Sequence, residues 1–224
     1  MSDATPFNVI NREAIAATEL RREPYEWTFI DNALDPALRE KVLDDAPRIP
    51  DRGSYALPDL KYGPAFGAVL QDLLSDRFRS LVGQTFNMDL SKCPPCIVMM
   101  GNTSGNYNEG YAHPDSKHKI VTVIVGFSRE WPYERGKLRV LNSNNRDDYA
   151  FEFSPTYGNM LMFRVSDKSW HGFLPQKGQR MSLQLCYVDS DFYVKREYWR
   201  HTWSAYAKSV PMIRTLIDWA PRRL

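Results

Sequence analysis

The sequence predicts a mainly β protein with flanking helices. Apolar residues recur at helical spacing over roughly the first 90 residues, whereas from 97 to 188 short β-branched and aromatic runs are broken by Gly, Pro, Asn and Asp. The spacing of these runs fits an antiparallel barrel or sandwich of about eight strands. With 224 residues, of which 43% are hydrophobic, the chain is long enough to bury a core of that size.

The N-terminal region, residues 1–96, is predicted to supply the helices that pack on the barrel. One helix should begin at Asp35-Pro36, because Asp caps a helix N-terminus and Pro suits the first helical position, and it should end before Pro47. Apolar residues at helical spacing indicate two more helices further along. The predicted elements are a strand at 27–29 and helices at 36–46, from Pro64 onwards, and around 78–82 before Gly83.

Residues 97–190 are predicted to form the β core of a single domain. Clusters of turn-forming residues at 134–136, 142–145 and 154–158 separate the apolar runs. The polar loop at 142–148 and the segment 48–61 are candidates for the entrance to a site. The predicted strands are 97–100, 119–127, 137–141, 149–153, 159–163 and 180–188.

The C-terminal segment, residues 191–224, interleaves basic and aromatic residues, a pattern that can bind nucleic acid or an anionic glycan. The favoured interpretation is a helix that packs Tyr198, Trp199 and Trp203 on the barrel and keeps its charges in solvent. A formal net charge of +2 for the whole chain gives no broad electrostatic footprint, which disfavours a nucleic-acid partner.

The sequence contains no apolar run approaching the roughly 18 residues that a membrane span needs. The N-terminus has neither a basic stretch nor an apolar stretch of the kind found in secretory signals. We therefore expect a cytoplasmic protein without a membrane partner. No pattern in the sequence indicates an oligomeric state.

Two of the three cysteines, Cys93 and Cys96, enclose Pro94-Pro95. Such a pair can bind zinc or perform redox chemistry, but zinc needs four ligands, and redox pairs of this spacing favour the start of a helix. A predicted strand follows this pair instead. We expect a turn carrying two reduced thiols.

The motif His113-Pro114-Asp115 precedes the longest predicted strand. Residues two apart in an extended chain project to the same side, so this imidazole and carboxylate can converge. His171 lies before another predicted strand and supplies a second imidazole. Two His and one carboxylate on one face of a metal form the triad that suits non-haem Fe(II) and dioxygen.

Because His-x-Asp is a short pattern that chance often supplies, the interpretation needs support from another residue. Arg180-Met181-Ser182 gives that support, since an Arg and a hydroxyl two positions apart on a strand point together and can hold a carboxylate. An iron site beside such a pair of residues would suit a dicarboxylate.

Several further motifs follow these residues in order between about 97 and 189. This span resembles the iron(II)- and 2-oxoglutarate-dependent dioxygenases, on the branch that includes the prolyl 4-hydroxylases. The residues that carry the resemblance are Gly105-Asn106-Tyr107, His113, Asp115, 121–125, Arg129-Glu130-Trp131, 136–140, 163–167, His171 and Arg180-x-Ser182-x-Gln184-x-x-Tyr187.

The resemblance implies a double-stranded β-helix, or jelly roll, with helices packed on one sheet. It also implies that His113, Asp115 and His171 ligate Fe(II), and that Arg180, with Ser182, binds the distal carboxylate of 2-oxoglutarate. The candidates for the keto-acid end are Tyr107, Tyr111, Asn102 and Thr103.

The sequence departs from the family pattern at two places. Relatives often have a Tyr on the long strand, where this chain has Val125-Gly126-Phe127, so the co-substrate pocket must be completed differently. Many relatives also have Gly-Gly where Arg135-Gly136 stands.

The resemblance implies an enzyme that uses O2 and 2-oxoglutarate to hydroxylate an unactivated C–H bond, with succinate and CO2 as co-products. Because related halogenases lack the carboxylate ligand, Asp115 favours hydroxylation over halogenation. The expected substrate is a prolyl or other side chain of a peptide or protein. The alternatives are a small metabolite or sugar as substrate, and a non-catalytic cupin-like module that binds a metal or ligand.

Overall fold

The computed structural model of the protein describes residues 8–49, 52–107 and 109–209, with side chains as far as 203. The strands are β1 (Trp27–Ile30), β2 (Ser54–Ala56), β3 (Pro95–Met100), β4 (Thr103–Ser104), β5 (Lys119–Gly126), β6 (Leu138–Leu141), β7 (Tyr149–Phe153), β8 (Met160–Arg164), β9 (His171–Gly172), β10 (Lys177–Gly178) and β11 (Ser182–Val188). The helices are α1 (Arg12–Ala16), α2 (Arg39–Asp44), α3 (Pro64–Leu74), α4 (Asp76–Phe86) and α5 (Asp191–Ser209), with 3-10 turns at Pro36–Leu38 and Leu57–Asp59.

Two antiparallel sheets face each other across an apolar interior. The larger has the order β1-β8-β5-β11-β3-β2 and the smaller the order β7-β6-β9, while β4 pairs with β10. Leu138 and Val140 of the smaller sheet pack against Leu161 and Phe163 of the larger. This arrangement confirms the predicted fold class, a mainly β jelly roll with flanking helices.

The outer face of the larger sheet is covered by α3 and α4. Phe66 and Phe78 are fully buried in this layer, where each stabilises the fold by roughly 1.5–3 kcal/mol relative to an exposed ring. Ser75 separates the two helices and caps α4, its hydroxyl accepting a hydrogen bond from the Phe78 N–H at 3.1 Å. The helical N-terminal region therefore packs on one sheet, away from the space between the sheets.

The predicted end of the helix at Gly83 is wrong, because α4 continues to Phe86. A Cβ at Gly83 would lie 2.6 Å from the Met88 carbonyl oxygen, so glycine is required there for close approach of the chain. Asn87 instead ends the helix in the left-handed conformation at a φ of 50°.

Other boundaries also differ from the sequence expectation. The helix expected at 36–46 is divided into a 3-10 turn and α2, which already ends at Asp44. The strand expected to begin at Arg180 begins at Ser182, so that Arg180 lies just before β11. Short strands such as β9 and β10 have only two residues each, too few for a period to be recognised in the sequence.

Asp72 is buried within α3 although no sequence pattern predicts a buried carboxylate there. Its oxygens accept hydrogen bonds from the Val9 N–H at 2.7 Å, the Ile10 N–H at 3.1 Å and the Asn8 side-chain amide at 3.0 Å. This carboxylate fastens the N-terminal part of the described chain to the helical layer.

The C-terminal segment forms α5 as far as Ser209, and its predicted remainder, 210–224, lies outside the described residues. Tyr198 packs as predicted, since its hydroxyl accepts a hydrogen bond from the Ile97 N–H at 3.2 Å. The same prediction is wrong for Trp199 and Trp203, which are 65% and 55% exposed, because they lie on other sides of the helix. No helix among the described residues is long and apolar enough to cross a membrane.

Cys93, Cys96 and Cys186 are free of disulfide bonds. Cys96 lies within β3, opposite Cys186 of β11, and burial raises its pKa to about 12. The expected turn is wrong for Cys96, because β3 already begins at Pro95. A raised pKa makes this thiol a weak source of the thiolate nucleophile.

Candidate active site

His113, Asp115 and His171 converge in the structure as the sequence predicts. Each offers a ligand atom, and these atoms all lie within 4.8 Å of one another. The backbones of His113 and His171 form a bridge with two N–H to carbonyl hydrogen bonds, each 3.1 Å long. Gly172 allows this approach, because a Cβ there would lie 2.7 Å from the Gly110 carbonyl oxygen.

The two imidazoles are held in the same tautomer. Nδ1 of His113 donates to the Tyr111 carbonyl at 2.9 Å, and Nδ1 of His171 donates to the Ser169 carbonyl at 3.0 Å. A carbonyl only accepts hydrogen bonds, so the proton is on Nδ1 and the Nε2 lone pair remains for a metal. Burial, reinforced by the neighbouring His113, lowers the pKa of His171 to about 4, which keeps this ring neutral near pH 7.

The side chain of Asp115 is only 5% exposed but has polar partners at both carboxylate oxygens. Lys119 Nζ donates to Oδ1 at 2.6 Å, and the Thr122 hydroxyl donates to Oδ2 at 2.7 Å. Burial would raise the pKa of Asp115, but Lys119 and the other partners lower it to about 2. The carboxylate is thus ionised and oriented by residues of β5.

Arg180 and Ser182 line the same cavity as the His113, Asp115 and His171 triad. Arg180 is 3% exposed, donates from Nε to the Gly136 carbonyl at 2.8 Å, and has its guanidinium carbon 4.1 Å from the centre of the Phe173 ring. The Ser182 hydroxyl is buried and has no hydrogen-bond partner among the described residues. A buried cation beside an unpaired hydroxyl is suited to receive an anionic group.

Gly126 of β5 pairs with Ser182 of β11. A Cβ at position 126 would lie 2.2 Å from the Thr156 carbonyl oxygen and 2.6 Å from that of Pro155. The turn between β7 and β8 therefore occupies the space beside Ser182, which explains why the chain has glycine in this part of the long strand.

A cavity of about 720 Å³ connects these groups. Its lining includes the His113, Asp115 and His171 triad together with Arg180 and Ser182. Of the candidate keto-acid residues, Asn102, Thr103 and Tyr111 line the cavity.

Tyr107 is not brought to this cavity. It is 79% exposed, and its ring centre lies 5.1 Å from the guanidinium carbon of Arg146. Residues 52–54 do line the cavity, as expected for part of the segment 48–61, whereas the loop at 142–148 does not.

Sequence reasoning missed two sets of residues around the site. Lys119, Thr122 and Gln184 contact Asp115, and the two-residue period of β5 and β11 could have indicated Thr122 and Gln184, whereas an irregularity in the strand pairing at Lys119 could not be foreseen. The second set lies on α5 at spacings of three and four, which marks one side of a helix, but nothing in the sequence shows which element that side faces. Its members are Tyr193, Arg196, Glu197, Arg200 and His201.

The donor set fits Fe(II) and a dicarboxylate. Two neutral imidazoles and one carboxylate are the ligands of non-haem Fe(II) sites with open coordination positions. The unpaired Ser182 hydroxyl and the buried Arg180 could hold a carboxylate of 2-oxoglutarate at the other end of the pocket.

Comparison with known proteins supports the same chemistry. Residues 101–187 match the model of the 2OG-Fe(II) oxygenase superfamily. No curated protein sequence matches the chain.

Two solved structures show the fold. A prolyl-4-hydroxylase from Pseudomonas putida is 17% identical with a TM-score of 0.51, over 80% of this chain and 97% of that one. A prolyl 4-hydroxylase from Phytophthora capsici is 13% identical with a TM-score of 0.53, over 82% of this chain and 63% of that one, so this chain spans less than two thirds of its length. The match over residues 101–187 indicates a 2OG-Fe(II) oxygenase domain in this part of the chain, and the triad and the shared fold agree with a 2-oxoglutarate-dependent dioxygenase that uses Fe(II), 2-oxoglutarate and O2.

Proposed function

We propose that the protein hydroxylates an unactivated C–H bond in a side chain of a peptide or protein, with proline as the first candidate. In this proposal His113 and His171 bind Fe(II) through Nε2, and Asp115 binds it through its carboxylate. The observation that carries the proposal is the convergence of these three ligand atoms within 4.8 Å of one another. The retained carboxylate favours hydroxylation over halogenation.

Arg180 and Ser182 bind the distal carboxylate of 2-oxoglutarate in this proposal. The buried guanidinium supplies charge and donors, and the Ser182 hydroxyl gains a partner that it lacks among the described residues. Fe(II), when bound, supplies the chemistry that couples the oxidative decarboxylation of 2-oxoglutarate to hydroxylation of a C–H bond. The protein's own groups orient the ligands: carbonyls hold both imidazoles, and Lys119 with Thr122 holds Asp115.

A polypeptide substrate is supported by the shape of the site and by its relatives. The cavity of about 720 Å³ exceeds what a five-carbon diacid fills, so room remains for part of a second molecule. The two structures that share the fold are named as prolyl 4-hydroxylases. We therefore place the side chain to be hydroxylated beside the triad.

The first experiment tests the metal and co-substrate site. Without oxygen, Fe(II) and 2-oxoglutarate should give wild-type protein a metal-to-ligand charge-transfer band in the visible spectrum. His113→Ala and Asp115→Ala should abolish it, because each removes one ligand. His118→Ala is the matched control and should retain the band, since His118 pairs with Asp189 outside the cavity lining.

Absence of the band in wild type, or its persistence in either triad variant, would contradict the assignment. Succinate formation in air then distinguishes an enzyme from a cupin-like binding module, which would give none. Peptides that gain the mass of one oxygen atom with wild type, but not with Arg180→Ala, would identify a polypeptide substrate.

A further inference from the structure

The cavity extends from the triad to an outer part that carries charged residues from three regions of the chain. Arg52 comes from the segment before β2, Glu109 from the loop before His113, and Arg196, Glu197 and Arg200 from α5. The match to the superfamily model ends at 187, so α5 lies beyond it. This part of the cavity lining therefore comes from residues outside the matched span.

Glu109 is already supplied with donors from its own loop. Its carboxylate accepts hydrogen bonds from the N–H and hydroxyl of Ser104 and from the N–H of Gly105, at 2.7 to 3.1 Å. Arg52 lies 3.6 Å away as an ion pair. This acidic side chain therefore organises the loop and is a poor partner for a substrate cation.

Glu197 is shared between two arginines. Arg200 donates to it from Nε at 3.3 Å and from Nη2 at 2.5 Å, and Arg196 Nη2 lies 3.8 Å away. Nε2 of His201 lies 3.1 Å from Arg200 Nη2 and 3.6 Å from Oε2 of Glu197, so His201 also contacts this pair. Two cations thus meet one anion on this side of the cavity.

Donor capacity remains on both α5 arginines. A guanidinium has five N–H donors, and the contacts of Arg200 use only Nε and Nη2 among the described residues. The side chain of Arg200 is 59% exposed and that of Arg196 is 47% exposed. Arg196 is also oriented by Tyr193, whose ring centre lies 4.6 Å from the guanidinium carbon.

We propose that Arg196 and Arg200 form a carboxylate-binding subsite, so that the substrate of this oxygenase carries a carboxylate near the carbon that is oxidised. This inference rests on the proposed function and specifies its substrate class. Two guanidiniums at one edge of a cavity suit the planar, two-oxygen geometry of a carboxylate. A cationic substrate would instead meet Arg52, Arg196 and Arg200. The two carboxylates beside them, Glu109 and Glu197, already accept hydrogen bonds from the protein.

The test measures binding of two matched probe pairs by calorimetry. Wild-type protein is loaded with Fe(II) and saturating 2-oxoglutarate without oxygen. The peptide pair is acetyl-Gly-Pro-Glu amide and acetyl-Gly-Pro-Gln amide, and the small-molecule pair is N-acetylproline and its amide. Because a hydrogen bond to a charged group contributes about 1.5–3 kcal/mol, the acid should bind at least about 10-fold more tightly than its neutral partner in one pair.

The variants are Arg196→Gln, Arg200→Gln and their double variant. Each single change should reduce the preference for the acid, and the double variant should remove it. Lys195→Gln is the matched control, because Lys195 is an exposed cation on the same helix that does not line the cavity, and it should keep the preference. Thermal unfolding of every variant reports whether the helix still packs.

A preference in the peptide pair identifies an acidic side chain as the source of the carboxylate, and a preference in the small-molecule pair identifies a free acid. Equal affinity within both pairs, including no detectable binding of all four probes, would overturn the inference. So would a preference that survives in a folded double variant. The charge-transfer band of the same wild-type sample reports separately on the proposed function: a band without an acid preference rejects the subsite alone.

Discussion

The two faces of the larger sheet have opposite chemistry although they share the same strands. On the helix-covered face, β5 contributes Val121, Val123 and Val125 to the apolar core. On the other face, β11 presents Ser182 and Gln184 to the cavity. Alternation along a strand therefore allows one set of residues to stabilise the sheet while their neighbours position the reacting groups.

The largest expected effect is a loss of stability caused by a substitution on the helix-covered face. Leu185→Ala should lower the free energy of unfolding by about 2–5 kcal/mol, because Leu185 is fully buried and the smaller side chain leaves a cavity. Urea denaturation measures this loss. Gln184→Ala, one residue away on the opposite face, is the control and should lower the free energy of unfolding much less. Similar losses for both variants would remove the distinction between the faces.

The second effect concerns the cavity end of the sheet. Arg180→Gln should weaken 2-oxoglutarate binding by roughly 30- to 150-fold, corresponding to about 2–3 kcal/mol for the loss of hydrogen bonds to a charged partner. Anaerobic titration of the charge-transfer band gives this affinity. Arg164→Gln serves as the control, because Arg164 is an exposed arginine at the end of β8. Unchanged affinity in Arg180→Gln would reject the proposed anchor.

The smallest effect has opposite signs for stability and binding. Ser182→Ala removes a buried hydroxyl that has no partner among the described residues, so stability should stay the same or rise by up to about 1 kcal/mol. The affinity for 2-oxoglutarate should fall roughly 2- to 10-fold, because the bound carboxylate loses one donor. Thermal unfolding and the same titration measure the two quantities. A loss of stability with unchanged affinity would show that Ser182 serves packing alone.

The sequence predicted the longer strands well, because short β-branched and aromatic runs bounded by turn residues are a local property of the chain. The strand at 149–153 was predicted with its observed bounds, and β5 ends one residue before the expected end. Convergence of His113 and Asp115 followed from the two-residue period, and the structure brings His171 to them. Local pattern and site geometry agree here because the ligands lie on or beside extended chain.

Features that depend on how distant elements pack could not be predicted in the same way. The side of α5 that faces the cavity is set by packing against β2 and β3, which lie far away in sequence. Tyr107 fits a sequence motif, but the local path of its loop directs it to solvent. The buried Asp72 depends on a chain segment more than 60 residues away, so no window around it signals its role.

Gly126 limits how this enzyme can be redesigned. Any side chain at position 126 would be forced into the backbone of the turn at 154–158, which connects β7 and β8. A side chain meant to contact the co-substrate therefore cannot be introduced there by a single substitution. Remodelling the co-substrate pocket requires the turn and the strand to be exchanged together.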